Sequence, residues 1–209
     1  MENNPKMAIT PKGLRYLLIG LIVMVSGYIL MTGGGTGGHV NPALAIADII
    51  KANYPDSEIA FVGTPYGIEN SIVPQAGYKL YKIKIEGVNG KKGLGKLKAY
   101  ARAFTAQFSA KRVIKEFKPD IVIGTGGYAC WPALKAAVEA RIPTMLHESN
   151  SMPGMAVRKL QNDVDVIMTN FECTRDNLNP TANVVKVGNP VRSQGLTLTR
   201  ESAREKLGI

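Results

Sequence analysis

The sequence has few cysteines and few histidines, and this scarcity narrows the folds and sites open to it. Its 209 residues hold two of each, Cys130 and Cys173, and His39 and His147. Two distant cysteines supply neither the disulfide framework of a small secreted domain nor the closely spaced ligand pairs of a zinc site. We therefore expect both cysteines to be buried, reduced thiols in a cytosolic protein, and we expect no metal site.

Acidic residues are also scarce, with 16 aspartates and glutamates against 26 lysines and arginines and a net charge of +10. Most of the excess lies in residues 79–118, where only Glu86 and Glu116 are acidic. Such a stretch attracts phosphate in nucleic acid, anionic lipid or a pyrophosphate substrate, although a solvated helix face has the same composition. Zinc spacings, RNA-binding sheet signatures and helix-turn-helix patterns are all missing, so we expect no nucleic-acid partner.

Long hydrophobic runs are missing except at residues 14–31. A membrane-spanning helix needs roughly 20 apolar residues, and the end of this run, residues 27–31, is required for a first strand. We predict that residues 1–26 form a separate apolar extension, either interfacial or the result of an early start codon. A single N-terminal membrane anchor remains an alternative.

Short apolar runs and helical patterns alternate along the rest of the chain. We predict strands at 27–31, 58–62, 80–85, 121–124, 144–146, 164–169 and 184–187, and helices at 43–53, 68–76, 97–117, 131–140 and 154–161. In the longest helix, the apolar face would carry Leu97, Ala101, Phe104, Phe108 and Val113. Such alternation is typical of an α/β, Rossmann-like parallel sheet with helices on both faces. We assign this domain to residues 27–192 and a linker with a helix to 193–209.

Three unusual loops follow predicted strands. Residues 33–42 read Gly-Gly-Gly-Thr-Gly-Gly-His-Val-Asn-Pro, where Asn41 would cap a helix with Pro42 at its first position. The second loop comprises residues 124–128 and the third residues 147–154. Ligands bind at the carboxyl ends of parallel strands, so we expect all three loops on one rim. A glycine turn before a helix is typical of a phosphate or sugar site.

His39 is a candidate general base, because the macrodipole at a helix N-terminus disfavours the charged imidazolium. A purely hydrogen-bonding role is the alternative. Glu148 could act in the chemistry or only hold its own loop. Gly33, Gly35 and Gly38 also match the dinucleotide fingerprint, but the second strand ends without the acid that a ribose requires, which disfavours an NAD(P)-dependent oxidoreductase.

Four motifs, in order along the chain, resemble those of the MurG family. They are Gly34-Gly35-Thr36-Gly37-Gly38-His39-Val40-x-Pro42-Ala43, Gly124-x-Gly126-Gly127-Tyr128, His147-Glu148-x-Asn150-x-x-Pro153-Gly154 and Gly188-Asn189-Pro190-Val191-Arg192. The resemblance implies the N-terminal half of a two-domain GT-B glycosyltransferase, with an inverting mechanism, no metal and no cofactor. The implied reaction is transfer of N-acetylglucosamine from UDP-GlcNAc to lipid I, giving lipid II for peptidoglycan.

The resemblance also implies roles for residues of this chain. His39 would be the base on the muramyl 4-hydroxyl, with Glu148 as the second catalytic candidate. Donor contacts would come from Thr36, Gly37, Gly38, Asn150 and Arg192, and acceptor contacts from Gly126, Gly127, Tyr128 and His147. Residues 94–104 resemble a membrane-docking patch, which implies a peripheral protein on anionic lipid at the cytoplasmic face of the bacterial plasma membrane.

Two features depart from the family pattern. Ser149 stands where the family usually has Gln, and Val157 stands where it usually has Asn, so a polar group would be lost near the active site. A donor-binding domain would have to be supplied beyond residues 193–209 or by a separate chain. We therefore expect the acceptor-binding half of the enzyme, inactive alone; the rival hypothesis is a non-catalytic, membrane-recruited subunit that pairs with a donor-binding chain.

Overall fold

Strands and helices alternate along the chain in a computed structural model that describes residues 27–85, 94–192 and 199–208, with only the backbone described for 94–104. The strands are β1 (Tyr28–Thr32), β2 (Glu58–Gly63), β3 (Lys79–Lys82), β4 (Ile121–Gly124), β5 (Thr144–Glu148), β6 (Val166–Thr169) and β7 (Val184–Lys186). The helices are α1 (Gly37–Asn53), α2 (Glu69–Gln75), α3 (Leu94–Phe117), α4 (Cys130–Glu139), α5 (Met155–Leu160) and α6 (Arg200–Leu207), with a 3₁₀ helix at Glu172–Asn177.

The seven strands form one sheet in the order β3-β2-β1-β4-β5-β6-β7, and every neighbouring pair is parallel. The strand order reverses between β1 and β4, where Thr32 pairs with Gly124 at the carboxyl ends. A crevice opens at such a reversal because the connections on either side lead away in opposite directions. The first and second loops therefore leave neighbouring strands at this crevice.

Two apolar clusters, one on each face of the sheet, form the core. Alternate residues of β1 point to opposite faces, so Leu30 joins the cluster under α3, α4 and α5, while Ile29 and Met31 join the cluster under α1 and α2. All three side chains are fully buried. The predicted Rossmann-like sheet with helices on both faces is thus confirmed.

The rim differs from the prediction in two places that matter for the site. Helix α1 begins at Gly37, six residues earlier than predicted, and Pro42 lies inside it rather than at its first position. Strand β5 continues to Glu148, because His147 and Glu148 pair with Met168 and Thr169 of β6. His39 is therefore a helical residue, and His147 and Glu148 are strand residues rather than loop residues.

The longest helix buries a different face from the one predicted. In its described half, the buried side chains are Ala106, Ala110, Val113 and Ile114, whereas Phe108 is 58% exposed. Small alanines let α3 pack closely against α4, and the larger phenylalanine is left outside. The prediction for Phe108 was wrong; those for Leu97, Ala101 and Phe104 lie outside the described side chains.

The two cysteines differ in their surroundings. Cys130 is fully buried at the start of α4, and burial raises the pKa of its thiol to about 12, as expected of an inert core residue. Cys173 is exposed on the 3₁₀ helix, so the prediction that both would be buried was wrong. The predicted extension at residues 1–26 lies outside the described residues, and the domain boundaries remain predictions.

Candidate active site

The first two glycine loops are in direct contact. Gly126 and Gly127 both have positive φ, at +103° and +86°, a backbone that L side chains rarely adopt. A Cβ atom on Gly127 would overlap the carbonyl of Gly34, and a Cβ on Gly126 would lie 2.6 Å from Nδ1 of His39. Glycine is required here because only a bare backbone lets the second loop approach the first loop and the ring of His39 this closely.

His39 lies in the first turn of α1 and is half-buried. Its Nδ1 is 3.0 Å from the backbone carbonyl oxygen of Thr125, and because a carbonyl only accepts hydrogen bonds, Nδ1 carries the proton. The other ring nitrogen, Nε2, then holds a lone pair. This tautomer can accept a proton from a hydroxyl group at Nε2.

The N-terminus of α1 presents backbone N–H groups beside this ring. Thr36 precedes the helix with an extended backbone, and its carbonyl accepts from the N–H groups of His39 and Val40. The N–H groups of Gly37 and Gly38 belong to the first turn and have no acceptor within the helix. Thr36 and Gly38 are exposed, so a negatively charged ligand group can reach this end of the helix.

Glu69, a buried residue that sequence reasoning missed, holds the first loop through hydrogen bonds to its carboxylate. Glu69, at the start of α2, is fully buried and accepts from the N–H of Gly35 at 2.9 Å and from the N–H and hydroxyl of Thr64, both at 2.8 Å. Burial raises the pKa of Glu69, but these hydrogen bonds together outweigh burial and hold the pKa below its ordinary value.

Glu69 also bears on the dinucleotide hypothesis. The N–H of Gly35, the middle glycine of the fingerprint, donates to Glu69, so this amide is engaged within the protein rather than facing a ligand. The one sequence signal for Glu69 is the group of glycines that surrounds it, since a Cβ at Gly34, Gly63 or Gly67 would overlap its side chain. The geometry gives the dinucleotide hypothesis no support.

His147 has the opposite surroundings to His39. Its side chain is buried, and Nε2 lies 2.9 Å from the carbonyl oxygen of Gly188, which requires the proton on Nε2. The hydroxyl of Ser149 lies 3.4 Å from Nδ1. Burial lowers the pKa of His147 below its ordinary value, more than the bond to Gly188 raises it. The ring thus ties β5 to the fourth motif.

Glu148 organises the third loop. One carboxylate oxygen accepts from the backbone N–H and the side-chain Nδ2 of Asn150, both at 2.9 Å, and the other accepts from the N–H of Gly154 at 2.6 Å. The carbonyl of Asn150 in turn accepts from the hydroxyl of Thr174 at 3.0 Å. Glu148 is buried, and these bonds commit both oxygens of its carboxylate to the third loop.

Tyr128 and Arg192, two further predicted site residues, have different surroundings. Tyr128 is half-exposed, with its ring beside Gly35. Arg192 forms an ion pair with Asp48 of α1, with its Nε 2.8 Å from a carboxylate oxygen. Val157 is buried in the apolar cluster under α4 and α5, so this departure from the family pattern falls in the core.

Within the described ranges, no group of three His, Cys, Asp or Glu side chains is arranged to hold a metal ion. Over the same ranges, no helix combines the length and the apolar character needed to cross a membrane.

A parallel sheet with its order reversal between β1 and β4, and glycine loops with a helix N-terminus at that point, is a Rossmann-like arrangement, and comparison with solved structures identifies it as the N-terminal half of a GT-B glycosyltransferase. The structure superposes on the crystal structure of Acinetobacter baumannii MurG with a TM-score of 0.67 and 33% identity, covering 78% of this chain and 46% of that one. A UDP-GlcNAc 2-epimerase from Neisseria meningitidis, 21% identical with a TM-score of 0.59 and coverages of 87% and 51%, shares the fold alone.

The chain matches the glycosyltransferase family 28 N-terminal domain over residues 29–169. It belongs to this family and, within it, to the MurG proteins. It is 45% identical over 180 residues to the UDP-N-acetylglucosamine–N-acetylmuramyl-(pentapeptide) pyrophosphoryl-undecaprenol N-acetylglucosamine transferase of Caldanaerobacter subterraneus subsp. tengcongensis, a match that covers 86% of this chain and 50% of the relative. The chain spans about half the length of the curated relatives it matches.

Proposed function

We propose that this chain provides the acceptor-binding half of an enzyme that transfers N-acetylglucosamine from UDP-GlcNAc to lipid I. The observation that carries the proposal is the pairing of a histidine whose Nε2 has a lone pair with the open first turn of α1. A proton acceptor and an anion site lie side by side there, and the reaction brings together a hydroxyl on lipid I and a diphosphate on UDP-GlcNAc. The Caldanaerobacter relative is named for the same transfer.

In the proposed step, Nε2 of His39 takes the proton of the muramyl 4-hydroxyl as its oxygen attacks the anomeric carbon of the donor sugar. The bond from that carbon to the UDP oxygen breaks, and UDP leaves with the electron pair. Attack from the face opposite the leaving group inverts the anomeric configuration. Moving the hydroxyl proton to a neutral imidazole contributes about 10²- to 10⁴-fold in such reactions.

The alternative base, Glu148, is less well placed for proton transfer. Both of its carboxylate oxygens accept hydrogen bonds from Asn150 and Gly154, so the group is used to shape the third loop. His147 is buried with Nε2 bonded to Gly188. We propose that Glu148 and His147 position the third loop, and that Asn150 reaches the ligand from it.

We propose that the first loop contacts the donor and that the second loop contacts the acceptor. First-turn groups of Thr36, Gly37 and Gly38 would contact the donor from this side of the cleft, and Gly126, Gly127 and Tyr128 would line the acceptor side. Arg192 would contact the donor only after leaving Asp48, to which its Nε now donates. We propose a peripheral location on anionic lipid, supported by exposed Phe108 beside basic Lys111 and Arg112 on α3.

The proposal is tested by binding and by transfer. Calorimetry with a soluble lipid I analogue should show binding to the 209-residue chain, and the chain assayed alone should not transfer sugar from UDP-GlcNAc at enzyme-like rates. Joining it to the C-terminal half of the Caldanaerobacter relative should produce transfer. Transfer by the chain alone would contradict the proposed division of labour, and failure to bind the acceptor would contradict the proposed function itself.

A separate donor-binding chain, as in the rival hypothesis, is covered by a second assay. The same C-terminal half is added as an independent polypeptide rather than joined to the chain. Transfer in the mixture that depends on His39 would favour a catalytic half that works with a separate partner. Transfer that survives His39→Gln would favour a non-catalytic subunit.

A further inference from the structure

Thr125 makes two hydrogen bonds to His39 that run in opposite directions. Its side-chain hydroxyl donates to the backbone carbonyl of His39 at 2.6 Å, and its own backbone carbonyl accepts from Nδ1 of the ring at 3.0 Å. Thr125 is 2% exposed, and its N–H donates to the carbonyl of Thr32 at 2.8 Å. One residue thus contacts both the backbone and the side chain of His39, from a loop 86 residues away in sequence.

The space around Thr125 and His39 leaves no room for side chains at two neighbouring glycines. A Cβ on Gly126 would lie 2.6 Å from Nδ1 of His39, and a Cβ on Gly33 would overlap the hydroxyl oxygen of Thr125. A side chain at Gly126 would displace the ring of His39 from the second loop, and one at Gly33 would displace the hydroxyl of Thr125 from the carbonyl of His39. Two glycines therefore make room for the two hydrogen bonds.

The direction of the Nδ1 bond decides which proton the ring can take. A neutral imidazole carries one proton, and with that proton on Nδ1 the lone pair is on Nε2. If the ring lost the carbonyl of Thr125 as its acceptor, the tautomer protonated at Nε2 would become populated. That tautomer has no lone pair at Nε2 and cannot accept a proton there.

We propose that Thr125 is a positioning residue that selects the tautomer of His39. Its hydroxyl holds the first turn of α1 against the second loop, and this keeps its carbonyl within hydrogen-bonding distance of Nδ1. The catalytic consequence rests on the proposed role of His39 as base, whereas the tautomer itself is a property of the chain without substrate.

The experiment uses the fact that the chain contains only two histidines. Nitrogen-15 NMR of histidine-labelled protein near neutral pH distinguishes protonated from unprotonated ring nitrogens. We expect His39 to carry its proton on Nδ1 and His147 on Nε2, so that His147 is the internal reference. In Thr125→Val the Nε2-protonated fraction of His39 should rise by about tenfold, which corresponds to losing roughly one hydrogen bond, about 1.4 kcal/mol.

Two further variants test whether the effect comes from the hydroxyl of Thr125. Thr125→Ser keeps the hydroxyl and should keep the wild-type tautomer of His39. Thr174→Val is the matched control, because Thr174 is also a fully buried threonine whose hydroxyl donates to a loop carbonyl, that of Asn150. It should leave the tautomer of His39 unchanged.

A wild-type His39 protonated at Nε2 would overturn the proposal, as would a Thr125→Val spectrum identical to that of the wild type. If Thr125→Val fails to fold, the His147 signals will lose their native pattern, and Thr125→Ala then serves as the second hydroxyl-free variant. Calorimetry of the wild-type sample with the lipid I analogue separates the two ideas. Absent binding would defeat the proposed function, while the tautomer result alone decides the role of Thr125.

Discussion

The two histidines of this chain lie on the same rim of one sheet, yet their surroundings differ in almost every respect. His39 is half-buried at the start of a helix, with its proton held on Nδ1 by Thr125. His147 is buried in strand β5, with its proton held on Nε2 by Gly188. The carbonyl that each ring meets therefore decides which of its two nitrogens carries the proton.

The two buried glutamates at this rim each hold a different loop. Glu69 holds the first loop through Gly35, and Glu148 holds the third loop through Asn150 and Gly154. Each carboxylate satisfies N–H groups of a loop that has no regular structure of its own. The buried glutamates at this rim thus shape the backbone, and we propose that the half-buried imidazole of His39 is the group available for chemistry.

The largest expected effect concerns the base. In the chain joined to a donor-binding half, His39→Gln should lower the rate of GlcNAc transfer by about 10²- to 10⁴-fold, because glutamine keeps a polar side chain but cannot take the proton. The measurement is kcat with a soluble lipid I analogue. Tyr128→Phe is the control on the same rim and should reduce kcat far less. An unchanged kcat in His39→Gln would remove His39 as the base.

The second-largest effect is on the free energy of unfolding, to which His147 should contribute more than His39. His147→Ala should lower the free energy of unfolding by about 3 kcal/mol, because it opens a cavity and leaves the Gly188 carbonyl without its donor. His39→Ala should cost about 1 kcal/mol or less, since its ring is only half-buried. Urea unfolding of the 209-residue chain compares the two. Equal losses would mean that the difference in burial has no energetic consequence.

The pH dependence of stability gives a smaller effect with a defined sign. Burial lowers the pKa of His147 in the folded state, so the unfolded chain binds more protons as the pH falls below about 6.5. The stabilisation is fully present above this pH and is lost towards the lower folded pKa, at no more than about 1.36 kcal/mol per pH unit. Urea unfolding at several pH values measures the slope, and His147→Gln should remove the part that His147 contributes.

The smallest effect concerns the second ring nitrogen of His147. Ser149 lies 3.4 Å from Nδ1, a long contact, and its hydroxyl also lies 3.1 Å from Oδ1 of Asn189. Ser149→Ala should therefore change the free energy of unfolding by about 0.5 kcal/mol or less. A loss as large as that of His147→Ala would show that Ser149, rather than Gly188, holds the ring.

The sheet and the position of its loops were predictable because short apolar runs alternate with helical patterns, which forces parallel pairing. The residues at which helices and strands begin and end near this rim were less predictable. Helix α1 begins among glycines before Pro42, residues that disfavour helix, and His147 and Glu148 are polar residues held in β5 by pairing with β6. In both cases tertiary contacts decide what local preference does not.

The roles of Glu69 and Thr125 at the first loop could not be found from local patterns, since Gly35 and His39, the residues that they hold, lie 34 and 86 residues away. The buried face of α3 was mispredicted for a related reason. The largest apolar residues were assigned to the core, whereas close packing of α3 on α4 selects Ala106 and Ala110 and leaves Phe108 outside. Size alone does not identify a core residue where two helices pack closely.

We propose that His39 faces the acceptor, whereas His147 stabilises the fold. The most direct measurement follows the ring nitrogens of both histidines by NMR while a soluble lipid I analogue is titrated into the 209-residue chain. We predict that Nε2 of His39 shifts in step with acceptor binding and that His147 keeps its free-state signals. A shift of His147 with His39 unchanged would contradict the claim.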